Sequence, residues 1–297
     1  MSKVLIIDGN NRLYASYFAY DGLSHNGKPT NCVYGMLEVV KATIKEVNPD
    51  ITIIAWDGRY GKRIRRTIFS GYKKRQKDSG LLDLEDLIRQ KKILFKLFTC
   101  LGVNQVICDK LEGDDVIAAL VNKFKNHKII INSADKDFNQ LLKKGVIIYR
   151  QLKENIYVSY KNCKDLFGYS PEETIDFLSI VGDKSDNIPG VKGAGEKTAR
   201  ALLDKYGSIS NFLNSNDEFP RIYRDELLRA YNLNRKLIDL GLFHRDYVKG
   251  KIKLSLIGNR NPKMQEKTFF SLCTKYGINS LRDRNFTKTF KQHSGTI

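Results

Sequence analysis

Four short apolar runs in this chain stop at, or lie beside, acidic residues. They cover residues 3–7, 51–56, 103–108 and 128–132, and helical patterns such as 33–47 and 84–102 separate them. A further run at 146–149 follows, and 156–160 reads as an additional edge strand. Strands alternating with helices imply right-handed crossovers and a mostly parallel sheet. The expected fold class is therefore α/β, with a mostly parallel central sheet flanked by helices. Parallel strands put their C-terminal ends on one edge, and such sheets bind ligands there.

Nine acids in five clusters would meet at that edge: Asp8, Asp57, Glu112 with Asp114 and Asp115, Asp135 with Asp137, and Asp183 with Asp186. Packed carboxylates shift one another's pKa unless something cancels their charge. Hard divalent cations, which prefer oxygen ligands, are the simplest counter-charge. Two such ions roughly 3.5–4 Å apart are a device for phosphodiester hydrolysis.

Each cluster also has a bland explanation. Asp8 and Asp57 precede glycine, as in ordinary turns. Glu112, Asp114 and Asp115 precede a helical stretch and could favour its macrodipole, although three acids in four residues exceed what a cap needs. Either Asp135 or Asp137 could cap the segment that follows. Asp183 and Asp186 suit a tight polar turn. All five explanations would have to hold at once, which favours a metal site. Asp83, Glu85 and Asp86 follow no strand and read as a cap and solvated face.

Charge points to the partner. The chain carries 51 Lys and Arg against 33 Asp and Glu, a net +18. A field of that sign attracts polyanions, nucleic acid first among them. No apolar stretch approaches the ~18 residues that span a bilayer, and Asp8 interrupts the N-terminal apolar run too early for a signal peptide. A soluble intracellular protein without a membrane partner is expected. The cysteines (Cys32, Cys100, Cys108, Cys163, Cys273) form no CxxC pair and read as buried thiols. No histidine lies in an acidic cluster, which argues against a His-rich zinc or iron site.

Residues 62–77 hold eight Lys or Arg and no acid. Backbone phosphate is the natural counter-charge for Lys62, Arg63, Arg65, Arg66, Lys74, Arg75 and Lys77. Tyr72 lies among them, where an aromatic could stack on an unpaired base. So dense a charge suggests a segment ordered only when DNA binds. Beyond residue 161 the chain turns helical. Within that part, residues 190–203 read as a helix-hairpin-helix: Gly190, Gly193 and Gly195 permit tight turns, backbone amides form an anion cradle, and Lys192 and Lys197 stand nearby. A nucleotide-binding glycine loop would need a preceding strand and a GK[ST] ending, and both are missing. The expected division is 1–160, an α/β domain with the metal site and a basic segment at about 60–92, and 161–297, a helical lobe with the hairpin at about 186–206. The last residues read as frayed.

The motifs IIDGN, AWDG, GYKKR, EGDD, ADKDF and GDKSDNIPGVKGAGEKTA occur in this order. Over residues 3–245 the chain resembles the 5′-nuclease family: bacteriophage flap endonucleases and the 5′→3′ exonuclease region of bacterial DNA polymerase I. The resemblance implies a PIN-like fold with a helical arch. It implies structure-dependent hydrolysis of DNA at 5′ flaps, branches and free 5′ ends, in replication or repair. Two or three Mg²⁺ or Mn²⁺ ions are implied, with K⁺ at the hairpin. Asp8, Asp57, Glu112, Asp114 and Asp135 would resemble one ligand cluster. Asp137, Asp183 and Asp186 would resemble a second, with Asp115 between them or in support. Lys73 matches the family's catalytic lysine. Implied partners are flap DNA, an RNA primer on DNA, and a replicative polymerase or single-strand-binding protein. A monomer in the cytoplasm of a bacterial or phage-infected cell is implied as well. Two departures stand out: Lys74 and Arg75 follow the lysine sooner than in relatives, and a basic residue of the first helix is Ala15 here, with Arg12 as the substitute. Two alternatives remain at this stage: a PIN-type ribonuclease, and a DNA-junction-binding protein with a degenerate site.

Overall fold

Alternate residues of the first strand bury on opposite faces. In β1 (Lys3–Asp8), Leu5 and Ile7 enter one core, and Val4 and Ile6 the other. A strand covered on both sides must be apolar throughout, which is why the run shows no polar alternation. The structure is a computed structural model and describes residues 1–74, 83–220, 222–248, 253–258 and 263–291. Arg75 and Lys77 lie outside the described residues, as do residues 292–297. Of the tail at 287–297 that the sequence reads as frayed, residues 287–291 are instead helical with Phe290 buried, because an apolar side chain there has a core to enter.

After β1 come α1 (Gly9–Ala19), a small hairpin of β2 (Ser24–His25) and β3 (Lys28–Pro29), α2 (Asn31–Val47), β4 (Ile51–Asp57), α3 (Arg63–Ile68) and α4 (Leu84–Cys100). Then follow β5 (Asn104–Cys108), α5 (Gly113–Lys123), β6 (Lys128–Asn132), a 3₁₀ turn (Asp137–Leu141), β7 (Val146–Arg150) and β8 (Ile156–Val158). The helical part holds α6 (Cys163–Phe167), α7 (Thr174–Val181), α8 (Glu196–Tyr206), α9 (Ile209–Asn214), α10 (Arg224–Ile238), α11 (Leu240–Phe243) and a π turn (His244–Val248). The chain closes with β9 (Ser255–Leu256), α12 (Glu266–Lys275), a 3₁₀ turn (Asn279–Leu281) and α13 (Arg284–Lys291).

The main sheet runs β8-β7-β6-β1-β4-β5-β9. Its five central strands are parallel, and β8 and β9 pair antiparallel at the edges. The chain builds from β1 to β4 and β5 on one side, then crosses to β6 and β7 on the other. The crevice where the direction reverses, between β1 and β6, is where open α/β sheets bind ligands. One face of the sheet packs on α1, α2 and α4, the other on α5 and α11. A third core, with Phe177, Leu202, Phe212 and Leu227, joins α7 to α10. Four cysteines are buried and Cys108 is half-buried; all are free thiols. Among the described residues no helix is long and apolar enough to cross a membrane.

The sequence reading places everything after residue 161 in one helical lobe, and here the structure differs. The chain returns to the sheet at β9, which pairs with β5. Helix α12 then packs on α4, and α13 on α2. Phe269, Cys273, Leu281, Phe286 and Phe290 are buried in the same core as Leu5 and Ile7. The physical reason is coverage: the outer sides of α2 and α4 need an apolar partner, and the closing helices supply it. Phe269→Ala should therefore cost about 3–5 kcal/mol and lower the melting temperature of the sheet core as one transition. A separate early transition with the sheet unaffected would contradict this packing.

Candidate metal centre

Each strand end delivers its acid through a local backbone reason. Asp8 caps α1: Oδ1 accepts from the Asn11 amide at 3.0 Å, and Oδ2 from Ser133 Oγ at 2.8 Å. That second bond crosses the crevice between β1 and β6. Asp57 Oδ1 accepts from the Gly113 amide at 2.7 Å, tying the end of β4 to the start of α5. Asp135 Oδ1 accepts from the Asp137 amide at 2.9 Å. Asp183 orders its own turn by accepting from Ser185 and from the Asp186 amide.

Asp8, Asp57, Asp114, Asp135 and Asp186 line one cavity of about 650 Å³, together with Lys62, Lys73, Lys74 and Lys184. Asp137 and Asp183 stand behind it; their charges reach each other and Asp135 and Asp186. Burial pushes Asp8 up to about 6, helped by Asp135 and Asp57 and opposed by the Asn11 and Ser133 hydrogen bonds. Burial, with nearby acids adding to it, also raises Asp114 and Asp137 well above the usual carboxylate range. Asp137 Oδ1 is buried with no hydrogen-bond partner among the described residues. Among the described residues no three carboxylates stand close enough together to grip one ion. The donor set is nevertheless all oxygen, crowded and under-neutralised, which fits hard divalent cations rather than zinc or copper.

Lys73 enters this cavity from the basic segment. Its Nζ is 2.8 Å from Glu112 Oε1 and 3.3 Å from Asp186 Oδ2. Its backbone is left-handed, φ +46°, and its amide donates to the Asp186 carbonyl at 2.8 Å. Burial works against the ammonium, but Glu112, Asp114 and Asp186 hold its pKa well above the ordinary lysine value. Glu112 is the hub of a buried network. It accepts from Lys73, from the Tyr72 hydroxyl at 2.9 Å and from Arg65 Nη1 at 3.1 Å. Arg65 also forks onto Asp115, with Nη1 to Oδ2 at 2.8 Å and Nη2 to Oδ1 at 2.7 Å.

Several expected roles change. Arg65 is 2% exposed and cannot reach DNA; it neutralises Glu112 and Asp115. Asp115 is fully buried under that fork and completes a capping box with Glu112, so it faces no metal cavity. Tyr72 is 2% exposed, and its hydroxyl spans Glu112 and Asp186 instead of meeting a base. Arg12 is buried beside Asp8 and Arg150, not on a DNA-facing surface. Arg65, Tyr72 and Arg12 share one reason: clustered acids demand internal cations and donors, and the nearest ones turn inward; Asp115 is the acid that Arg65 neutralises. Arg63, Arg66 and Lys74 are exposed and Lys62 is half-buried; Arg66 also donates to the Tyr72 and Lys73 carbonyls.

In the hairpin, Gly190 and Gly193 are required and Gly195 is not. A Cβ on Gly190 would lie 2.3 Å from the Val181 carbonyl oxygen, and Gly193 has φ +75°. Gly195 has ordinary extended backbone, φ −91°, and open space around it. Lys192 and Lys197 are exposed, but the Lys192 amide donates to Glu226 at 2.9 Å, so that amide of the cradle is engaged.

Two cations escaped the sequence reading. Lys184 lines the cavity. Lys91 reaches Asn10 Oδ1 at 3.1 Å and lies over the Trp56 ring. The signal for Lys91 was available: it sits on the same stripe as Leu87, Leu94 and Phe98, at i+4, i+7 and i+11, where a solvated lysine is out of place. Of the second acidic group, Asp83 caps α4 as expected, whereas Asp86 is buried and paired with Arg89 and Gln90.

Residues 3–168 match the family model for a 5′-3′ exonuclease, N-terminal resolvase-like domain. Residues 169–260 match that for a 5′-3′ exonuclease, C-terminal SAM fold. A 5′-3′ exonuclease of Aquifex aeolicus is 34% identical over 281 residues, covering 92% of this chain and 94% of that protein. One from Buchnera aphidicola of Acyrthosiphon pisum is 37% identical, covering 80% and 81%. A DNA polymerase I of Caldicellulosiruptor bescii is 33% identical over 76% of this chain but only 27% of the polymerase. The fold is similar to that of the T5 D15 protein co-crystallised with metal ions, with a TM-score of 0.70 at 17% identity, covering 92% and 98%.

The raised acids set a pH dependence. A carboxyl whose pKa is higher folded than unfolded binds its proton more tightly when folded, so stability is lost as pH rises. For Asp8 that window runs from the ordinary aspartate value of 3.8 up to about 6. Glu112 and Asp183 are lowered, so their contribution is lost on acidification instead. In EDTA the melting temperature should fall as pH rises from about 4 to about 7, and Mg²⁺ should restore it at neutral pH. Indifference to both pH and Mg²⁺ would contradict the crowding.

Proposed function

The chain belongs to the 5′-3′ exonuclease family, and on that premise we propose that it is a structure-dependent DNA 5′-nuclease. It hydrolyses phosphodiesters near free 5′ ends, at flaps and at branch points. The observation that carries this reading is the meeting of Lys73 with five acids around one cavity at the sheet's C-terminal edge.

When bound, two Mg²⁺ or Mn²⁺ ions supply charge stabilisation and a water activated for in-line attack at phosphorus. Asp8, Asp57, Asp114 and Asp135 would hold them, with Asp186, Asp137 and Asp183 nearby; Glu112, expected among the ligands, instead spends its oxygens on Lys73, Tyr72 and Arg65. Lys73 holds its ammonium beside the scissile phosphate, where it offsets charge that develops during transfer. Glu112 and Asp186 keep that ammonium protonated and in place. Lys62, Lys74, Lys184, Arg63 and Arg66 bind flanking phosphates without reading sequence. Lys192, Lys197 and the turn at Gly190–Gly193 grip the duplex backbone, and a K⁺ ion held by the turn's carbonyls would complete that grip. The products carry a 5′-phosphate and a 3′-hydroxyl.

The reading includes two functional parts that meet near residue 160. It sets the enzyme in the cytoplasm of a bacterial or phage-infected cell, at intermediates of replication or repair. An RNA primer on DNA is a further substrate strand, and a replicative polymerase or single-strand-binding protein a partner.

The test is cleavage of an end-labelled 5′-flap duplex and its matched single strand, with Mg²⁺ and with EDTA. Metal-dependent cuts at the junction are expected. Asp135→Asn should abolish them with DNA affinity nearly intact. Lys73→Ala should lower turnover by about 10²–10³-fold and affinity far less. Tight binding with no cuts in either metal would instead indicate a junction-binding protein, and preference for an RNA strand a PIN-type ribonuclease.

A further inference from the structure

Arg65 stands where the sheet and the helical lobe meet. Its Nη atoms are fixed by Asp115 and Glu112, both at the start of α5. Its Nε donates to the Leu237 carbonyl, 2.8 Å away, in the last turn of α10. The Phe243 ring covers the guanidinium at 3.8 Å. One turn earlier in α10, the buried Asn234 donates to the Ser179 and Pro189 carbonyls at 2.9 and 2.6 Å. Pro189 directly precedes Gly190, where the backbone of the hairpin turn begins. On the other side, Glu112 holds Lys73. A continuous set of contacts thus runs from the hairpin through Asn234, α10 and Arg65 to Glu112 and Lys73.

We propose that Arg65 is a positioning residue that couples duplex held in the hairpin to the placement of Lys73. It would thereby determine the preference for 5′ strands attached to a duplex over free single strands. This deepens the nuclease reading and rests on it. The warrant is geometric. The guanidinium is a rigid planar fork, so its donors cannot follow two partners that move apart. Hydrogen bonds weaken steeply with misalignment. A shift of α10 against the start of α5 therefore breaks either the Leu237 bond or the grip on Glu112, and packed interfaces of this kind switch rather than stretch. Asn234 makes α10 move with the hairpin, so phosphate seated there biases which arrangement holds. A lysine at position 65 would keep the charge but could not serve both elements at once.

The experiment is single-turnover cleavage at saturating enzyme in Mg²⁺, on a 5′-flap duplex and on the same strand alone, together with duplex affinity in EDTA. Arg65→Lys should slow the flap duplex by about 5- to 150-fold, the range of a typical coupling. It should slow the free strand by less than that range and leave the duplex affinity in EDTA nearly unchanged. The substrate ratio should collapse accordingly. Asn234→Ala should reduce the same ratio from the other end, and the double variant should lose no more than the larger single effect, because both act on one path. Asn234→Ala also carries the test should Arg65→Lys fail to fold. Equal slowing of both substrates would overturn the proposal, since Arg65 would then merely support Glu112. A loss confined to duplex affinity, or additive single effects, would overturn it too. A wild-type protein that cuts neither substrate would sink this inference and the nuclease reading together.

Discussion

Carboxylates cannot crowd one edge of a sheet unless cations are built in among them. Everything distinctive in this structure follows from that constraint. Removing a charge pair from water costs several kcal/mol per ion, and the pair survives only with good geometry and further hydrogen bonds. The Arg65 fork on Asp115 meets that demand with both oxygens paired. The arrangement leaves Glu112 with three donors and makes it the fixed point from which Lys73 is held. Asp8 and Asp114, on the cavity side, have no such fork, and burial raises their affinity for protons, which a divalent ion would relieve.

The topology explains why the balance falls there. Strand order reverses between β1 and β6, and the Ser133–Asp8 hydrogen bond closes that crevice. Asp57 and Asp114 arrive from β4 and from the first turn of α5 on one side, and Asp135 from the segment just past β6 on the other. The turn bearing Asp183 and Asp186 comes from the helical lobe and is pinned to residues 71–73 by four contacts: the Lys73 amide on the Asp186 carbonyl, Asn187 on the Gly71 carbonyl, and the Lys73 ammonium and Tyr72 hydroxyl on the Asp186 carboxylate. The basic segment is thus both a wall of the cavity and the clasp between the two parts.

Much of this was legible in the sequence, for a physical reason. A buried parallel strand has to be a near-continuous apolar run, and an acid at its end has few structural excuses, so β1, β4, β6 and β7 announce themselves, and the first three announce their acids. What stayed hidden depends on partners distant in the chain. Arg65 and Tyr72 sit in a run that reads as solvated charge, yet they bury against Glu112, Leu237 and Asp186, up to 172 residues away. Nothing local separates Arg65 from the exposed Arg63 and Arg66. Asp115 looked like its neighbour Asp114, but helix geometry turns adjacent residues about 100° apart, which sends one to the cavity and the other to Arg65. The return of α12 and α13 to the sheet was equally silent, because an amphipathic helix does not say which surface it covers.

The central claim is that these acids form a divalent-metal site built around Lys73. Calorimetric titration of the protein with Mn²⁺ at neutral pH, beside Asp8→Asn and Asp135→Asn, tests it most directly. The account predicts at least two saturable sites in the wild type, and loss or marked weakening of one in each variant with folding retained. Wild-type protein that binds no Mn²⁺, or variants that bind it unchanged, would contradict the account.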